Sequence, residues 1–143
     1  MNPSPHAQAK PFSLINPDGL YDPAPNGYSH LAAIGPNARL LLVAGQGGEN
    51  ARGELVPDFV GQMRQAFRNL ETAMAAAGAK LDDIAKLTVL IVGHNEDRLK
   101  AFGAELDRVW PKAAMKPACT LIPVPRLALD GMLFEVEATA VVR

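Results

Sequence analysis

Residues Pro57–Val92, PDFVGQMRQAFRNLETAMAAAGAKLDDIAKLTVLIV, carry the clearest structural signal in the chain, an amphipathic helix followed by a buried strand. Pro57 suits a first helical turn, and Gly78 is placed for the C-terminal cap. Between them, apolar residues recur at spacings of three and four, the pattern of one helical face. These residues are Phe59, Met63, Ala66, Phe67, Leu70, Ala73 and Met74. The apolar run at about Lys86–Val92 is typical of a strand covered on both faces, so a helix packed on a sheet is predicted here.

Weaker signals on both sides of this unit predict the other elements. They are a short edge strand at Phe12–Ile15, strands near His30–Ile34 and at Arg39–Ala44, a second amphipathic helix from about Asn95 to Trp110, and strands at Cys119–Val124 and Met132–Val142. The turn signals Gly35-Pro36 and Asp130-Gly131 predict that the strands flanking each of them pair as hairpins. This order implies an α+β domain with a mixed sheet and two helices on one of its faces.

The last strand, MLFEVEATAVV, separates two kinds of residue by its period of two. One face carries Phe134, Val136, Ala138, Ala140 and Val142, and the other carries Glu135, Glu137, Thr139 and Val141. We expect the helices to cover the apolar face, which leaves the glutamate face for solvent or for another subunit. Two interpretations of the carboxylates stay open. They are either solvated charges, or one of them is partly desolvated, with a raised pKa and the ability to position water.

Composition excludes several classes of function. The net charge of −1, with 14 scattered Lys and Arg residues, gives no electrostatic footprint for nucleic acid. The three histidines lack paired-ligand spacing and Cys119 is the sole cysteine, so no metal site is expected. A single cysteine also excludes an internal disulfide and fits a reducing compartment. Because the sequence has no apolar run of about 20 residues and no apolar N-terminal stretch, we expect a cytoplasmic protein without a membrane partner.

The 143 residues are expected to form a single domain preceded by irregular structure. Seven of the twelve prolines lie in the first 36 residues, where they disfavour regular ladders because proline lacks a backbone N–H. We therefore predict a proline-rich tail and loop over residues 1–26 and the folded domain over residues 27–143. Gly45–Asn50, GQGGEN, lacks the third glycine of a phosphate-binding loop and is interpreted as a turn that ends a strand.

Taken as a set, the motifs resemble those of one known family. The segments are GYSHLA, VAGQ, FVGQMRQAFRNLETAMAAAGAKLDDIAKLTVLI, PAC and FEVEATAV, within a resemblance that covers Gly27 to Arg143. On these segments the chain resembles the RidA/YjgF family, the reactive intermediate deaminases that are also filed as endoribonuclease L-PSP. The resemblance implies a chorismate-mutase-like fold that assembles as a homotrimer through a central β-barrel, with a small-molecule cleft at each subunit interface. It also implies hydrolysis of enamines or imines derived from amino acids, without a cofactor.

The resemblance assigns the site residues one by one. Glu135, the first glutamate of FEVEATA, matches the residue that positions the attacking water in the family. Tyr28 of GYSHLA matches an aromatic residue that lines the pocket, and Gly45 and Gln46 match a turn that lines the cleft. In the family, an arginine directly after Pro-Ala grips the substrate carboxylate. Cys119 occupies that position in this chain.

Replacement of the family arginine by Cys119 changes the expected substrate. A guanidinium binds a carboxylate through two parallel charge-assisted hydrogen bonds, each contributing about 1.5–3 kcal/mol, and a thiol has neither the charge nor the geometry. The standard family substrates are therefore not expected, and a less anionic ligand is. Arg126, at the far end of the same predicted strand, is an alternative source of the cation. Because a thiolate beside Glu135 would be disfavoured by like charge, we expect a protonated thiol.

Three functions stay open. The first is a deaminase or hydrolase that acts on an imine or enamine C–N bond, with Glu135 positioning water. The second is a non-catalytic trimer whose cleft binds or senses a small metabolite. The third is the endoribonuclease or translation inhibitor after which some family members are named. The charge balance and the lack of a basic or aromatic stacking patch argue against the third.

Overall fold

The computed structural model describes residues 9–111 and 115–143, so the first eight residues of the predicted tail lie outside the described residues. The strands and helices follow the order β1 Phe12–Ile15, β2 Leu31–Ile34, β3 Arg39–Gly47, α1 Phe59–Ala75, β4 Ile84–Val92, α2 Glu96–Val109, β5 Ala118–Val124 and β6 Phe134–Val142. Single 3-10 turns lie at Ala24–Asn26 and Leu81–Asp83. The predicted order of elements is confirmed, including the short first strand, and β3 runs three residues further than predicted.

Side-chain caps determine where the two helices begin. The Asp58 carboxylate accepts a hydrogen bond from the Gly61 N–H at 2.7 Å, and the Asn95 side chain accepts one from the Arg98 N–H at 2.9 Å. Pro57 therefore precedes the cap of α1 and does not lie in its first turn, as the sequence had predicted. Gly78 lies beyond the last helical residue, and its φ of +74° is the left-handed conformation that ends the turn.

The strands form two sheets, and both predicted hairpins are wrong. The larger sheet has the order β3-β6-β4-β5, in which β4 and β5 are parallel and the other pairs antiparallel, while β1 and β2 form a separate antiparallel pair. Consequently β2 pairs with β1 and not with β3, and β6 does not pair with β5. The turn residues correctly marked where the chain reverses, but β6 has a strongly apolar face and takes a central position between β3 and β4.

Both helices lie on one face of the larger sheet and enclose the main core. Phe134 of β6 is fully buried there, with its ring centroid 5.9 Å from that of Phe59, 6.0 Å from that of Phe67 and 6.2 Å from that of Phe102. Val136, Ala138 and Ala140 are buried on the same face, as the alternation in β6 predicted. Aromatic pairs at these separations add about 0.5–1.5 kcal/mol each to the stabilisation from burial.

The other face of the larger sheet is covered at one end only. Phe12 of β1 packs there against Ala85 and Val141. Further along the same face, Leu42 is 78% exposed and Leu40 is 50% exposed. This uncovered part of the face, which we call the open face, also carries polar side chains, which are Lys86, Thr88, Thr120 and Glu137. None of the helices in residues 9–111 and 115–143 combines the length and apolarity that a bilayer span requires.

Candidate functional site

A pocket of about 570 Å³ lies where the loop before β2 meets α2 and β5. The loop contributes Pro25, Asn26 and Tyr28, α2 contributes Leu99, Lys100, Phe102, Gly103 and Leu106, and β5 contributes Cys119 and Leu121. Two of the residues predicted for the site, Tyr28 and Cys119, therefore share one cavity. We call this cavity the Cys119 pocket.

Hydrogen bonds hold the loop that carries Tyr28 against the start of β5. The buried Ser29 donates from its N–H to the Pro117 carbonyl at 3.1 Å and from its hydroxyl to the Lys116 carbonyl at 2.5 Å. The Tyr28 hydroxyl is hydrogen-bonded to that of Tyr21. These bonds satisfy backbone groups that would otherwise be buried without partners, and they place the Tyr28 ring at the rim of the Cys119 pocket.

The Cys119 thiol is a neutral part of the pocket wall. Burial raises its pKa from 9.0 to about 11, and the positive charge of Lys86 opposes this shift only in part. The expected protonated thiol is thus confirmed, but the cause is desolvation and not the charge of Glu135. A neutral thiol is a weak hydrogen-bonding group, so Cys119 offers a ligand a small, nearly apolar contact in place of a guanidinium.

Gly45 and Gln46 lie in a β-bulge of β3, where the register with β6 shifts between Val43 and Gln46. The predicted turn is therefore part of an irregular strand. A Cβ atom on Gly45 would lie 1.9 Å from Oε1 of Glu135, so only glycine leaves room for that carboxylate. The Gln46 side chain donates to the Ala44 carbonyl at 3.1 Å, which stabilises the bulge.

Glu135 is half-buried on the same face of β6 as the exposed Glu137. Burial raises the pKa of the Glu135 carboxyl above its ordinary value of 4.5, and the negative charges of Glu49 and Glu137 raise it further. Of the two interpretations left open by the sequence, partial desolvation with a raised pKa describes Glu135, and its role in positioning water stays a prediction. Its basicity is higher than that of a solvated glutamate, which suits a group that accepts a proton from water.

Helix α1 holds the segment after β3 in place, and this brings Glu49 close to Glu135. The Asn69 amide donates to the Gly47 carbonyl at 2.9 Å and to the Glu49 carbonyl at 2.8 Å. A Cβ atom on Gly48 would lie 2.6 Å from the α-carbon of Gln62, so the strand end packs directly on the helix. The glycines of GQGGEN are thus explained by close packing, without a phosphate-binding role.

Glu135 and Cys119 lie on opposite faces of the sheet. Cys119 is paired with Leu87 of β4, and Glu135 is paired with Leu90. Because successive side chains alternate between faces, Leu87 and Leu90 point in opposite directions, and Leu87 is fully buried in the helix-covered core. One copy of the chain therefore contains two separate parts of the predicted site. The Cys119 pocket opens on the helix side, and Glu135 with Gly45 lies on the other side.

Arg126 does not line the Cys119 pocket of its own chain. Its guanidinium donates to the Asp130 carboxylate at 3.0 Å and to the Leu127 carbonyl at 3.2 Å, which fixes it in the loop after β5. The charged residue that does line the Cys119 pocket is Lys100. Lys100 was not among the site residues predicted from the sequence. Its neighbour Leu99 is an apolar residue of the amphipathic helix α2 that is exposed at the pocket and does not lie in the core. The sequence signal that could have identified Lys100 is a lysine next to an apolar residue at the edge of the apolar face of α2.

Metal-ligating residues are not clustered anywhere in the described parts of the chain, 9–111 and 115–143, where no group of three or more His, Cys, Asp or Glu side chains is placed to hold an ion. We call the Cys119 pocket and the surroundings of Glu135 the two half-sites, and the side chains named above supply their reactive groups. These are a carboxylate with a raised pKa, an aromatic ring, a neutral thiol and one ammonium group.

Comparisons with known proteins agree with this fold. The sequence profile of the family described as Endoribonuclease L-PSP matches residues 21–142. A RutC family protein of Haemophilus influenzae is 36% identical in an alignment 119 positions long, which covers 77% of this chain and 89% of the relative. The 2-iminobutanoate/2-iminopropanoate deaminase of Escherichia coli K12 is 32% identical in an alignment 124 positions long, which covers 78% of this chain and 91% of that enzyme. A crystal structure of a Rid family protein from Yersinia pestis superposes with a TM-score of 0.86 at 35% identity and covers 92% of this chain and 99% of the other. The chain belongs to the RidA/YjgF family, and the resemblance of its motifs to that family is confirmed.

Proposed function

We propose that the chain assembles as a homotrimer whose intersubunit clefts bind a small metabolite and hydrolyse an imine or enamine C–N bond, with Glu135 positioning the water. The observation that carries this proposal is the placement of Glu135. A carboxylate with a raised pKa lies against a glycine that leaves room for nothing larger. Water activation needs a base of this kind at a fixed position.

Assembly is part of the proposal because the two half-sites of one chain lie on opposite faces of its sheet. A cleft that contains both must take the Cys119 pocket from one copy and Glu135 from a neighbour. The open face supports such contact, since Leu40, Leu42 and Ile122 are all at least 41% exposed there. Exposed apolar patches of this kind are typical of protein–protein interfaces, and burying them would contribute about 25 cal/mol for each Å² removed from water.

The reaction assigned to the cleft is a two-step hydrolysis. Glu135 accepts a proton from water while the water oxygen bonds to the imine carbon and the C=N π electrons move to nitrogen. The proton passes from Glu135 to nitrogen and gives a carbinolamine. Glu135 then takes the proton of the new hydroxyl group and delivers it to nitrogen as the C–N bond breaks, so that a carbonyl compound and ammonia leave. An enamine enters the same path after protonation at carbon gives the imine. No redox change occurs, and the carboxylate returns to its ionised state.

The substrate is proposed to differ from that of the Escherichia coli relative, whose name describes a deaminase of 2-iminobutanoate and 2-iminopropanoate. In the family, those carboxylates are gripped by an arginine, and this chain has the neutral Cys119 thiol at that position. Loss of two charge-assisted hydrogen bonds of about 1.5–3 kcal/mol each would weaken binding by about two to four orders of magnitude. A ligand with a larger apolar body suits the pocket better, because Leu99, Leu106 and Leu121 line it.

A non-catalytic metabolite-binding trimer is the second candidate, and one observation favours it. The Cys119 pocket can enclose a ligand without any contribution from the Glu135 carboxylate of the same chain. In that case binding would occur, but no bond would be broken. Ammonia release from a panel of imines generated in solution separates the two candidates, with Glu135→Gln expected to lose about 100- to 10,000-fold in turnover. Glu137→Gln, which removes the same charge from the same face of β6, is the matched control and should stay active.

Co-expression of two inactive variants tests whether the cleft is shared between copies. Gly103→Phe fills the Cys119 pocket, and there is open space where the new side chain begins, while Glu135→Gln removes the base. Random mixing in a cyclic trimer leaves about one quarter of the clefts with an intact pocket from one variant and an intact Glu135 from the other. Recovery of about a quarter of the wild-type turnover would support the shared cleft. Mixed trimers that stay inactive would contradict it, and a monomer by light scattering would contradict the assembly itself.

A further inference from the structure

Lys100 is the charged side chain at the Cys119 pocket. The ten residues that line the pocket include no Asp, Glu or Arg. Lys100 lies in the second turn of α2, and within residues 9–111 and 115–143 it forms no ion pair and donates no hydrogen bond to another side chain. The two other lysines near β5 already have partners, since Lys116 is paired with Asp107 at 2.9 Å and Lys86 donates to the Thr120 hydroxyl at 2.6 Å on the open face. The pocket therefore presents one uncommitted positive charge beside an apolar wall.

We infer that Lys100 is the anion-binding residue of this site, so that the ligand is an amphiphilic small molecule with one anionic group at Lys100 and an apolar portion against Cys119. The inference rests on the proposed function only in placing the ligand in this pocket. It changes the expectation drawn from the sequence, since loss of the arginine does not remove anion recognition but moves it from β5 to α2. It also changes the geometry, because an ammonium is a point charge and does not form the paired bonds of a guanidinium.

The apolar part of the ligand is argued from the remaining lining residues. Leu99 and Leu106 of α2 and Leu121 of β5 line the same pocket as Cys119, and the thiol is protonated at neutral pH because its pKa is about 11. A second charged group placed there would be desolvated without a partner, which is costly. Lys100 is exposed where it lines the pocket, and lysine side chains commonly lay their apolar stem along a surface while the ammonium stays in water. A second anionic group is therefore disfavoured, and a single carboxylate on a branched aliphatic chain fits the lining.

Binding of a matched pair of probes tests the inference without any turnover. The probes are 4-methylpentanoate and 4-methylpentanamide, which have the same shape and differ in charge, and dissociation constants are measured by NMR titration. We expect the carboxylate to bind more tightly than the amide, and Lys100→Gln to weaken carboxylate binding about 5- to 30-fold, the range for one charge-assisted bond at a partly solvated site. Lys80→Gln, which removes an exposed lysine beyond the end of α1, is the matched control and should bind as the wild type does.

Ionic strength supplies an independent readout. Raising the salt concentration should weaken carboxylate binding to the wild type but leave binding to Lys100→Gln nearly unchanged, because only the former depends on an exposed charge. Equal binding of carboxylate and amide, no detectable carboxylate binding, or an unchanged affinity in Lys100→Gln would each overturn the inference. Failure of the proposed function looks different. Glu135→Gln would then keep full turnover, or no turnover would be found, while the preference for the carboxylate at Lys100 persisted.

Discussion

Gly45→Ala is the substitution whose effect the geometry defines most sharply. The added Cβ atom would lie 1.9 Å from Oε1 of Glu135 and 2.7 Å from its carboxyl carbon, whereas ordinary van der Waals contact begins at 3.4 Å. The carboxylate oxygen must therefore move by about 1.5 Å or the bulge must deform. Gly45 does not have a positive φ, so the alanine backbone itself is not strained. The clash with Glu135 is the main consequence of the change.

The expected size of the effect follows from that displacement. Overpacking a well-filled site costs about 1–3 kcal/mol, and we expect the lower part of this range because Glu135 is half-buried and can turn towards solvent. For a chain of this length, 1 kcal/mol lowers the melting temperature by about 3 °C. In the proposed cleft, a catalytic group misplaced by about 1 Å loses about 100-fold in rate. A small loss of stability should therefore accompany a large loss of turnover.

A double-mutant cycle separates this mechanism from general damage to β3. Thermal unfolding and ammonia release are measured for Gly45→Ala, Glu135→Ala and the double variant. In the Glu135→Ala background the clash is gone, so the second substitution should cost almost nothing in stability and nothing further in turnover. Additive losses of stability in the double variant would refute the reasoning, because they would mean that the methyl group added at position 45 disturbs something other than Glu135.

Three further predictions concern the titrating groups. The acid limb of the turnover profile should lie above pH 4.5, because activity needs the ionised form of the Glu135 carboxyl, whose pKa is raised. In a pH–rate series, Glu137→Gln should move that limb towards lower pH, because it removes one of the charges that raise the pKa of Glu135. Glu135→Gln should unfold at a higher temperature than the wild type at neutral pH and lose this advantage in acid. Because the folded-state pKa of Glu135 is raised, the stability contributed by its protonated carboxyl is present below pH 4.5 and is lost as the pH rises through the folded-state pKa. At neutral pH, iodoacetamide should label Cys119 about 100-fold more slowly than a thiol with a pKa of 9.0, because the pKa of Cys119 is about 11. Labelling is followed by mass spectrometry, and fast stoichiometric labelling would contradict the buried neutral thiol.

Local patterns predicted the elements of this fold because each one depends on residues close in sequence. The apolar stripe of α1 gave that helix, and the alternation in β6 separated Phe134 on the core side from Glu135 on the other. The partly desolvated state of Glu135 was also within reach, because a glutamate in so apolar a strand has little water around it. These features can be predicted from the helical period of 3.6 residues or the strand period of two residues, without knowledge of distant contacts.

Strand pairing was not predictable in the same way. A turn signal such as Asp130-Gly131 shows that the chain reverses, but it does not say which strand comes to lie beside β6. That choice depends on the apolar faces of β3 and β4, which are distant from β6 along the chain. The placement of Cys119 relative to Glu135 was not predictable from the sequence for the same reason. Their positions on opposite faces follow from the registers of β5 and β6 on β4, and no spacing along the sequence encodes those registers.

The opposite placement of the two half-sites explains how the family's arginine position can change while Glu135 stays constrained. Position 119 contacts the interior of a pocket that α2 and the Tyr28 loop also line, so a substitution there alters which ligand fits but leaves β6 untouched. The Glu135 carboxylate occupies space that only a glycine at position 45 leaves free, and its charge is disfavoured by burial and by Glu49 and Glu137. A carboxylate that costs stability in its ionised form is better explained by chemistry than by folding. In the proposed assembly, ligand choice and water activation are thus carried by different faces of the sheet and meet only where two copies join, which allows the first to vary without loss of the second.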